Sequence, residues 1–382
     1  MALILPEEPN RAPASRVRAL LALGFRPFYL LAGAYAALGV PIWALQYSAV
    51  LPAGDPLWHA HEMLFGYAFA VIAGFLLTAV RNWTALPTPS GLPLAGIAVL
   101  WIAARLIAPF SLAASSIVDA LFAIALAWGI GQPIVRSGNR NWFFIPLILA
   151  LGAASVAFQA LPRIALAVGL DLVLLIIAIM AGRVVPGFTN AAVPGAGARR
   201  IAWLDYGALG SVLALLVLDV LQLAFPASLV ALAGACLHAA RVALWAPLKT
   251  LGRPILWVLH LSYSWIAVHL LLRGLAGFDV VPGVLATHAL TIGTIGGLTL
   301  GMMTRTSRGH TGRPLSTGRA ELAAYLLVHA AAAVRVIVPL AAPAAYAASV
   351  AVSSVLWCVA FLVFVVSYYP ILTEPRLDGR EG

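Results

Sequence analysis

The sequence predicts an all-α integral membrane protein with about twelve transmembrane helices. Apolar residues make up 63% of its 382 residues, and only 23 basic and 13 acidic residues carry charge. In soluble domains about a quarter of the residues are charged, and disordered chains have low hydrophobicity, so both classes are excluded. Because about 20 apolar residues form one crossing of a bilayer, this content suffices for about a dozen spans. The lipid bilayer is therefore the first predicted partner.

Apolar runs of membrane length, bounded by proline, glycine or charged residues, predict the individual spans. Numbered 1 to 12 in chain order, they lie near residues 27–47, 57–80, 92–108, 112–135, 142–160, 164–182, 203–225, 227–248, 254–273, 282–304, 318–340 and 343–369. They predict one membrane domain over residues 26–370. An N-terminal segment, 1–25, and a C-terminal tail, 371–382, flank it.

Basic residues are distributed unevenly between the two ends of these spans. The termini and the loops that follow even-numbered spans hold 18 of the 23 basic residues. By the positive-inside rule, this asymmetry predicts that both termini are cytoplasmic. The net charge of +10 is thereby explained by topology, and no nucleic-acid partner is expected.

Similar strings at the span ends indicate an internal repeat. Span 3 ends in Arg105-Leu-Ile-Ala-Pro109, and span 11 ends in Arg335-Val-Ile-Val-Pro339. Spans 4, 8 and 12 end in proline followed by isoleucine or leucine. The offsets predict three four-helix units over residues 26–138, 139–252 and 253–370.

Histidine is enriched inside the spans. Seven of the eight histidines fall there, and the eighth, His310, lies just beyond span 10. An ionisable group in the bilayer costs roughly 2.5 to 3.5 kcal/mol on insertion scales, so each is a functional candidate. Neutral imidazole binds haem iron, copper and zinc, and the set therefore indicates a metal-centred protein. The seven within spans are His59, His61, His238, His260, His269, His288 and His329.

The intramembrane carboxylates allow two interpretations. They form structural ion pairs with arginines, or they provide a proton path from the non-cytoplasmic side. Arginines at the same depth could alternatively bind anionic groups such as haem propionates. The ion-pair interpretation concerns Asp119, Asp171 and Asp219, with Arg105, Arg163 and Arg335 as the partners considered. The proton path would use these three aspartates and Glu62.

Six segments resemble motifs of the NnrS family of membrane proteins. Residue 81 is Arg, where the family pattern often has Pro before Asn82-Trp83-Thr84. The matching segments are Gly24-Phe-Arg-Pro-Phe-Tyr-Leu30, Leu57-Trp-His-Ala-His-Glu-Met-Leu-Phe-Gly66, 74–84, Gly182-Arg-Val-Val-Pro-Gly-Phe-Thr189, Trp257-Val-Leu-His-Leu-Ser-Tyr-Ser-Trp265 and the long string from His288 to Pro314.

This resemblance implies haem b and copper in a bacterial inner membrane, and a role in denitrification or in defence against nitric oxide. Electrons would come from a quinol or from a separate donor protein. The histidines in matching motifs become the candidate metal ligands: His59, His61, His238, His260, His288 and His310. All of them except His310 are also candidates for binding haem. The resemblance does not assign each histidine to a metal, and it leaves the oligomeric state open.

Twelve helices in three units, with histidines on spans 2 and 10, also resemble the catalytic subunit of the haem-copper oxidase and nitric oxide reductase superfamily. The analogy suggests that His59 or His61, together with His288, holds one haem. Arg105 or Arg335 would then lie near its propionates, and His238 and His260 would belong to a second site. Because fold alone does not establish function, this remains a hypothesis about the site.

Three functions fit these features. The first is the reduction of nitric oxide at a haem or haem-copper centre. The second is a non-catalytic haem protein that binds nitric oxide or protects metal centres from it, and the third is a transporter. The number of intramembrane histidines argues against transport, but both haem functions need the same ligands, so the sequence does not separate them.

Overall fold

In a computed structural model that describes residues 15–55 and 57–379, the chain forms a bundle of long α-helices. This described part contains no β-strand. A short helix, Arg16–Leu20, precedes the bundle. The long helices are α1 Phe25–Tyr47, α2 Trp58–Thr84, α3 Leu92–Ile107, α4 Leu112–Arg136, α5 Arg140–Ala157, α6 Pro162–Ala192, α7 Ala202–Val220, α8 Ala224–Ala243, α9 Pro254–Ala276, α10 Gly283–His310, α11 Arg319–Ala341 and α12 Pro343–Thr373.

These helices confirm the predicted all-α membrane fold. Within the described ranges, eleven helices are long and apolar enough to cross a membrane. The remaining long helix, α3, is apolar but has only 16 residues. Each predicted span corresponds to one helix, and the bounds differ by a few residues at most ends.

Local sequence accounts for several of the helix ends. α6 and α9 begin with Pro162 and Pro254, whose fixed backbone angle suits the first turn of a helix. The Ser111 side chain accepts a hydrogen bond from the backbone N–H of Ala114 and so caps α4. After α2, Ala85 adopts a left-handed conformation with φ of 55°, which stops the helix.

Three helices form the interior of the bundle. In the most apolar stretches of α2, α6 and α10, 83%, 72% and 67% of the residues are buried, the highest fractions of the eleven spans described. α1 packs against α12, where the Trp357 indole N–H donates to the carbonyl of Ala36 at 2.9 Å. The interior helices are the second members of the three predicted repeats, but the repeat itself stays a prediction.

The two ends of the described chain lie on the same face of the bundle, called here the near face. The Leu377 N–H donates to the carbonyl of Thr311, just after α10, at 3.2 Å. Arg26 at the start of α1 donates to the carbonyls of Leu372 and Glu374 at 3.0 and 2.8 Å. The opposite side, where α2 and α10 begin, is called the far face. That the near face is cytoplasmic stays a prediction.

Two interior helices contain π-helical segments at corresponding places. In α2 the segment is Glu62–Ala68, directly after His61, and in α10 it is Ala289–Gly296, directly after His288. π-Helical turns are rare and occur frequently at functional sites. These segments indicate a functional site in the far-face half of the bundle, where His59, His61 and His288 lie.

Candidate functional site

A cavity of about 360 Å³ lies in the far-face half, enclosed by α1, α2, α6, α10, α11 and α12. Most of its wall is apolar. Its aromatic and ionisable residues come from five different helices: Trp43, His59, Tyr67, His288, Arg335 and Trp357. The structure therefore brings together two of the predicted ligand histidines and one of the two arginines predicted near a haem.

His288 is held in a defined orientation on the cavity wall. Its Nδ1 donates to the carbonyl of Val284, one turn earlier in α10, at 2.7 Å. In a neutral imidazole this leaves Nε2 with a lone pair. A backbone carbonyl on one ring nitrogen is the usual support of a metal-ligating histidine, because it fixes both tautomer and ring orientation.

His59 lies on the α2 side of the same cavity. Its ring stacks on the indole of Trp43, with centroids 4.2 Å apart. Its Nδ1 is buried and has no hydrogen-bond partner among the residues that the structure describes. Since buried polar atoms are usually satisfied, this nitrogen is available to a bound group.

Arg335 supplies a positive charge at the cavity. Its Nη2 donates to the Tyr346 hydroxyl at 2.6 Å, and the guanidinium lies 4.5 Å from the centroid of that ring. Its Nη1 is buried without a hydrogen-bond partner in the described part of the chain. A buried guanidinium with an unused N–H group is suited to bind an anionic group such as a carboxylate.

His61 belongs to a different environment from His59. Its Nδ1 lies 2.8 Å from Glu62 Oε1, and its Nε2 lies 3.0 Å from Ser155 Oγ and 3.1 Å from Ser116 Oγ. The ring is fully buried, and both of its nitrogens have polar neighbours from α2, α4 and α5. The structure thus places His61 in a hydrogen-bond network away from the cavity wall.

Arg105 joins that network rather than the cavity. Its Nη2 donates to Asp119 Oδ1 at 2.6 Å, and its Nε lies 3.2 Å from Glu62 Oε2. The same Glu62 oxygen accepts a hydrogen bond from the Tyr35 hydroxyl. Asp119 and Arg105 therefore form an ion pair, as one of the two interpretations of the sequence predicted.

Asp171 and Asp219 form ion pairs, but with an arginine that the sequence did not single out as their partner. Arg273 in α9 donates to Asp171 Oδ1 at 2.8 Å and to both oxygens of Asp219 at 2.6 Å. Arg163 and Arg335, the partners considered from sequence, are not involved. The four predicted carboxylates are therefore divided between two separate clusters.

His238 and His260 lie in polar surroundings of their own. The nitrogens Nδ1 and Nε2 of His238 lie 2.8 Å from the Tyr263 hydroxyl and 3.1 Å from the carbonyl of Ala208. Those of His260 lie 3.0 Å from the carbonyl of Leu256 and 3.2 Å from Thr189 Oγ1. Among residues 15–55 and 57–379, no three His, Cys, Asp or Glu side chains could hold a metal ion together.

His310 is remote from the cavity. It is the last residue of α10, at the near face, where its ring lies 5.7 Å from that of Phe25. At 1.5 Å per residue, it is roughly 33 Å along the helix axis from His288. These two predicted ligands therefore cannot share one metal site.

The model of the NnrS protein family matches residues 19–376. The chain belongs to the NnrS family. No curated protein matches it significantly. The match covers all twelve long helices, including both walls of the cavity, so the motif-based resemblance is confirmed along the chain.

In this NnrS-family protein, Arg241 and Asp205 help to organise the interior, although neither was among the site residues predicted from the sequence. Arg241 in α8 donates to Asp205 at 2.6 Å and to the Tyr263 hydroxyl at 2.7 Å, and it is almost fully buried. Arg241 lies three residues after His238, so a helix places both on one face, and this spacing could have identified it. Asp205 gave no such signal, because it follows a basic loop and resembled a residue at a helix start.

Proposed function

We propose that the chain binds haem b in the far-face cavity and acts on nitric oxide, with reduction of nitric oxide as its leading activity. One observation carries the proposal: His59 and His288, from two interior helices, line the same cavity. The NnrS family is generally linked to the nitric oxide response. The proposed ligands are also two of the histidines in family-like motifs.

The residues around the cavity fit a haem in three respects. The wall is mostly apolar, as a porphyrin requires. His288 can present the lone pair of Nε2, and His59 has a buried ring nitrogen without a partner in the described chain. Arg335 can donate its unused N–H group to a propionate. Bound haem would supply an iron that binds and polarises a small molecule, which is chemistry that the side chains alone lack.

The chain's own contribution would be binding, orientation and the exclusion of water. Nitric oxide is small and apolar, so it partitions into a bilayer and into an apolar cavity. Trp43, Tyr67 and Trp357 line the cavity and limit its hydration. The carbonyl of Val284 fixes the His288 ring, and Arg335 would hold the anionic edge of the cofactor.

Copper is not included in this proposal. The described residues contain no group of three potential ligand side chains, and both ring nitrogens of His61, His238 and His260 already have polar neighbours. Copper binding stays an expectation from the family resemblance.

Nitric oxide binding without turnover is the second candidate function. Reduction joins two nitric oxide molecules and commonly relies on a second metal beside the first. Binding alone is favoured because no three His, Cys, Asp or Glu side chains of the described residues could hold such a metal together. In that case the protein would bind nitric oxide or keep it from other metal centres. If electrons are used, a quinol or a separate protein would supply them.

Anaerobic exposure of the purified, reduced protein to nitric oxide separates the two candidates. Reduction predicts continuing production of nitrous oxide, well beyond one equivalent per protein, in the presence of a reductant. Binding alone predicts a single stoichiometric loss of nitric oxide. If the protein neither consumed nor bound nitric oxide, both functions would be contradicted.

The ligand proposal is tested with separate alanine variants. His288→Ala and His59→Ala should each change the haem absorption spectrum or lower the haem content, and Arg335→Gln should weaken haem retention. His329→Ala is the matched control, since His329 is a buried histidine of α11 outside the cavity wall. Unchanged spectra in both ligand variants would overturn the assignment. A change in His61→Ala alone would favour the alternative ligand on α2.

A further inference from the structure

A second polar cluster lies near the far face, where α6, α7 and α9 meet. Two carboxylates there contact one guanidinium. Arg273 Nη1 lies 2.8 Å from Asp171 Oδ1, and Nη2 lies 2.6 Å from both oxygens of Asp219. Because the two carboxyl groups contact the two terminal nitrogens of one guanidinium, they lie side by side. With both carboxylates ionised, the cluster would carry one net negative charge.

Asp171 is the deepest member of the cluster. Its side chain is fully buried, whereas Asp219 and Arg273 keep 14% and 20% of their side-chain surface exposed. Its Oδ2 is buried and accepts no hydrogen bond from any residue that the structure describes. An ionised carboxylate with one oxygen left unsatisfied is costly inside a protein.

Among the described residues, no arginine or lysine other than Arg273 forms an ion pair with Asp171 or Asp219. On α9, His269 lies one turn from Arg273, and its Nδ1 donates to the carbonyl of Ala286 at 2.8 Å. On α2, His61 and Glu62 face α3, α4 and α5, whereas His59 faces the cavity. Arg163, at the start of α6, is exposed.

Two adjacent carboxylates in a poorly solvated place do not both stay ionised, and a shared proton removes their repulsion. We propose that Asp171 and Asp219 together bind one exchangeable proton on the guanidinium of Arg273. The proton is the ligand of this site. It compensates the excess charge and occupies the space between two carboxyl groups that otherwise repel each other.

Asp205 provides the opposite arrangement within the same chain. Its oxygens accept from two arginines, Arg200 at 2.9 Å and Arg241 at 2.6 Å. Two guanidinium groups there compensate a single carboxylate, so this cluster has no excess negative charge. The chain thus contains a matched control for the Asp171 site.

The site is positioned to exchange its proton with the far side of the membrane. Asp219 lies at the far-face end of α7 and is partly exposed. Supply of this proton to nitric oxide reduction would rest on the proposed function. Proton binding itself does not, because it requires only the three side chains.

Infrared spectroscopy of the full-length protein in lipid tests the proposal directly. A protonated carboxyl group has a C=O stretching band distinct from those of carboxylates and of the amide backbone, and the band shifts in D₂O. At neutral pH the protein should show such a band, and carboxyl-¹³C labelling of aspartate should shift it. Asp171→Asn and Asp219→Asn should each remove one carboxylic-acid equivalent, because the remaining Asp then pairs alone with Arg273. Asp205→Asn should leave the band intact.

Three outcomes would overturn the proposal. The first is the absence of an aspartic-acid band from the labelled wild-type protein, which needs no variant to fold. The second is a band that persists in both Asn variants. The third is a band that appears only when sodium is replaced by a bulky cation, since the site would then bind a metal cation. None of these readouts depends on haem, so failure of the haem proposal leaves the test unaffected.

Discussion

At the level of single residues, arginines within the helices organise the interior of the bundle. Arg105, Arg241 and Arg273 each contact at least one carboxylate. Arg335 instead contacts the hydroxyl and the ring of Tyr346, and it faces the cavity. Because a buried charge is stable only when compensated, Arg335 is the arginine of this group best suited to an external anion.

The close approach of Arg241 to α6 gives the first prediction. A Cβ atom at Gly182 would lie 1.8 Å from Arg241 Nη2, so Gly182→Ala must displace the guanidinium from Asp205 and Tyr263. We expect a loss of about 1–3 kcal/mol in the free energy of unfolding, as for other overpacked sites. Thermal unfolding in detergent measures it.

Gly187→Ala is the control for this variant, because it lies on the same helix with no described atom within 4 Å of its added Cβ. It should be neutral or stabilising by up to about 1 kcal/mol, since alanine favours helix more than glycine. Equal stability of the two variants would contradict the role assigned to the close contact.

At the level of helices, the π-helical segments are the part of the architecture that hydropathy could not predict. A π turn inserts one residue into a helix but leaves the stretch apolar. A hydropathy profile therefore predicts the same span whether or not the π turn is present. It does change which side chains face which neighbour after the turn. The regular step of about 100° per residue turns His59 and His61 toward different neighbours, and both residues lie in the regular turn before the π segment of α2.

The π segment of α10 packs closely against α9, which gives the second prediction. A Cβ at Gly293 would lie 2.3 Å from Cγ of Trp265. Gly293→Ala should therefore push the two helices apart, lower the free energy of unfolding by about 1–3 kcal/mol and reduce haem retention by moving His288. Thermal unfolding and the haem-to-protein ratio are the measurements.

Gly309→Ala, at the near-face end of the same helix, is the control. Its nearest neighbour atom, on Leu315, would lie 3.6 Å from the added Cβ, which is an ordinary contact. If Gly293→Ala retained full stability while Gly309→Ala did not, the packing argument would be wrong.

At the level of the whole molecule, hydropathy was sufficient for the helices but not for the site. Each predicted span has a helix because the bilayer requires an apolar run of fixed length, and this requirement is local in sequence. The partners of the polar groups are not local. Asp171 pairs with Arg273, which lies about a hundred positions later. His59 and His288 come to line one cavity only after the helices pack. The separation of His59 from His61 followed from helix geometry, but which one faced the cavity did not.

Orientation in the membrane gives the third prediction. In a background with Cys236 and Cys358 replaced by alanine, Ser48→Cys would report the far face and Ser316→Cys the near face, since both serines are exposed. The charge asymmetry predicts that a membrane-impermeant maleimide labels Ser48→Cys in intact cells. It should label Ser316→Cys only after the membrane is opened. The reverse pattern would show that the positive-inside interpretation is wrong.

The contact between α1 and α12 has a consequence for biogenesis. Arg26 emerges from the ribosome early, but the carbonyls of Leu372 and Glu374, to which it donates, are synthesised about 350 residues later. At 5–20 residues per second, the delay is roughly 20 to 70 s. During this time the first helix must reside in the translocon or the lipid without its final neighbour. Formation of the contact between α1 and α12 is therefore a late, post-insertion event. Chains truncated before α12 should be recognised by membrane quality control even though eleven of their helices are complete.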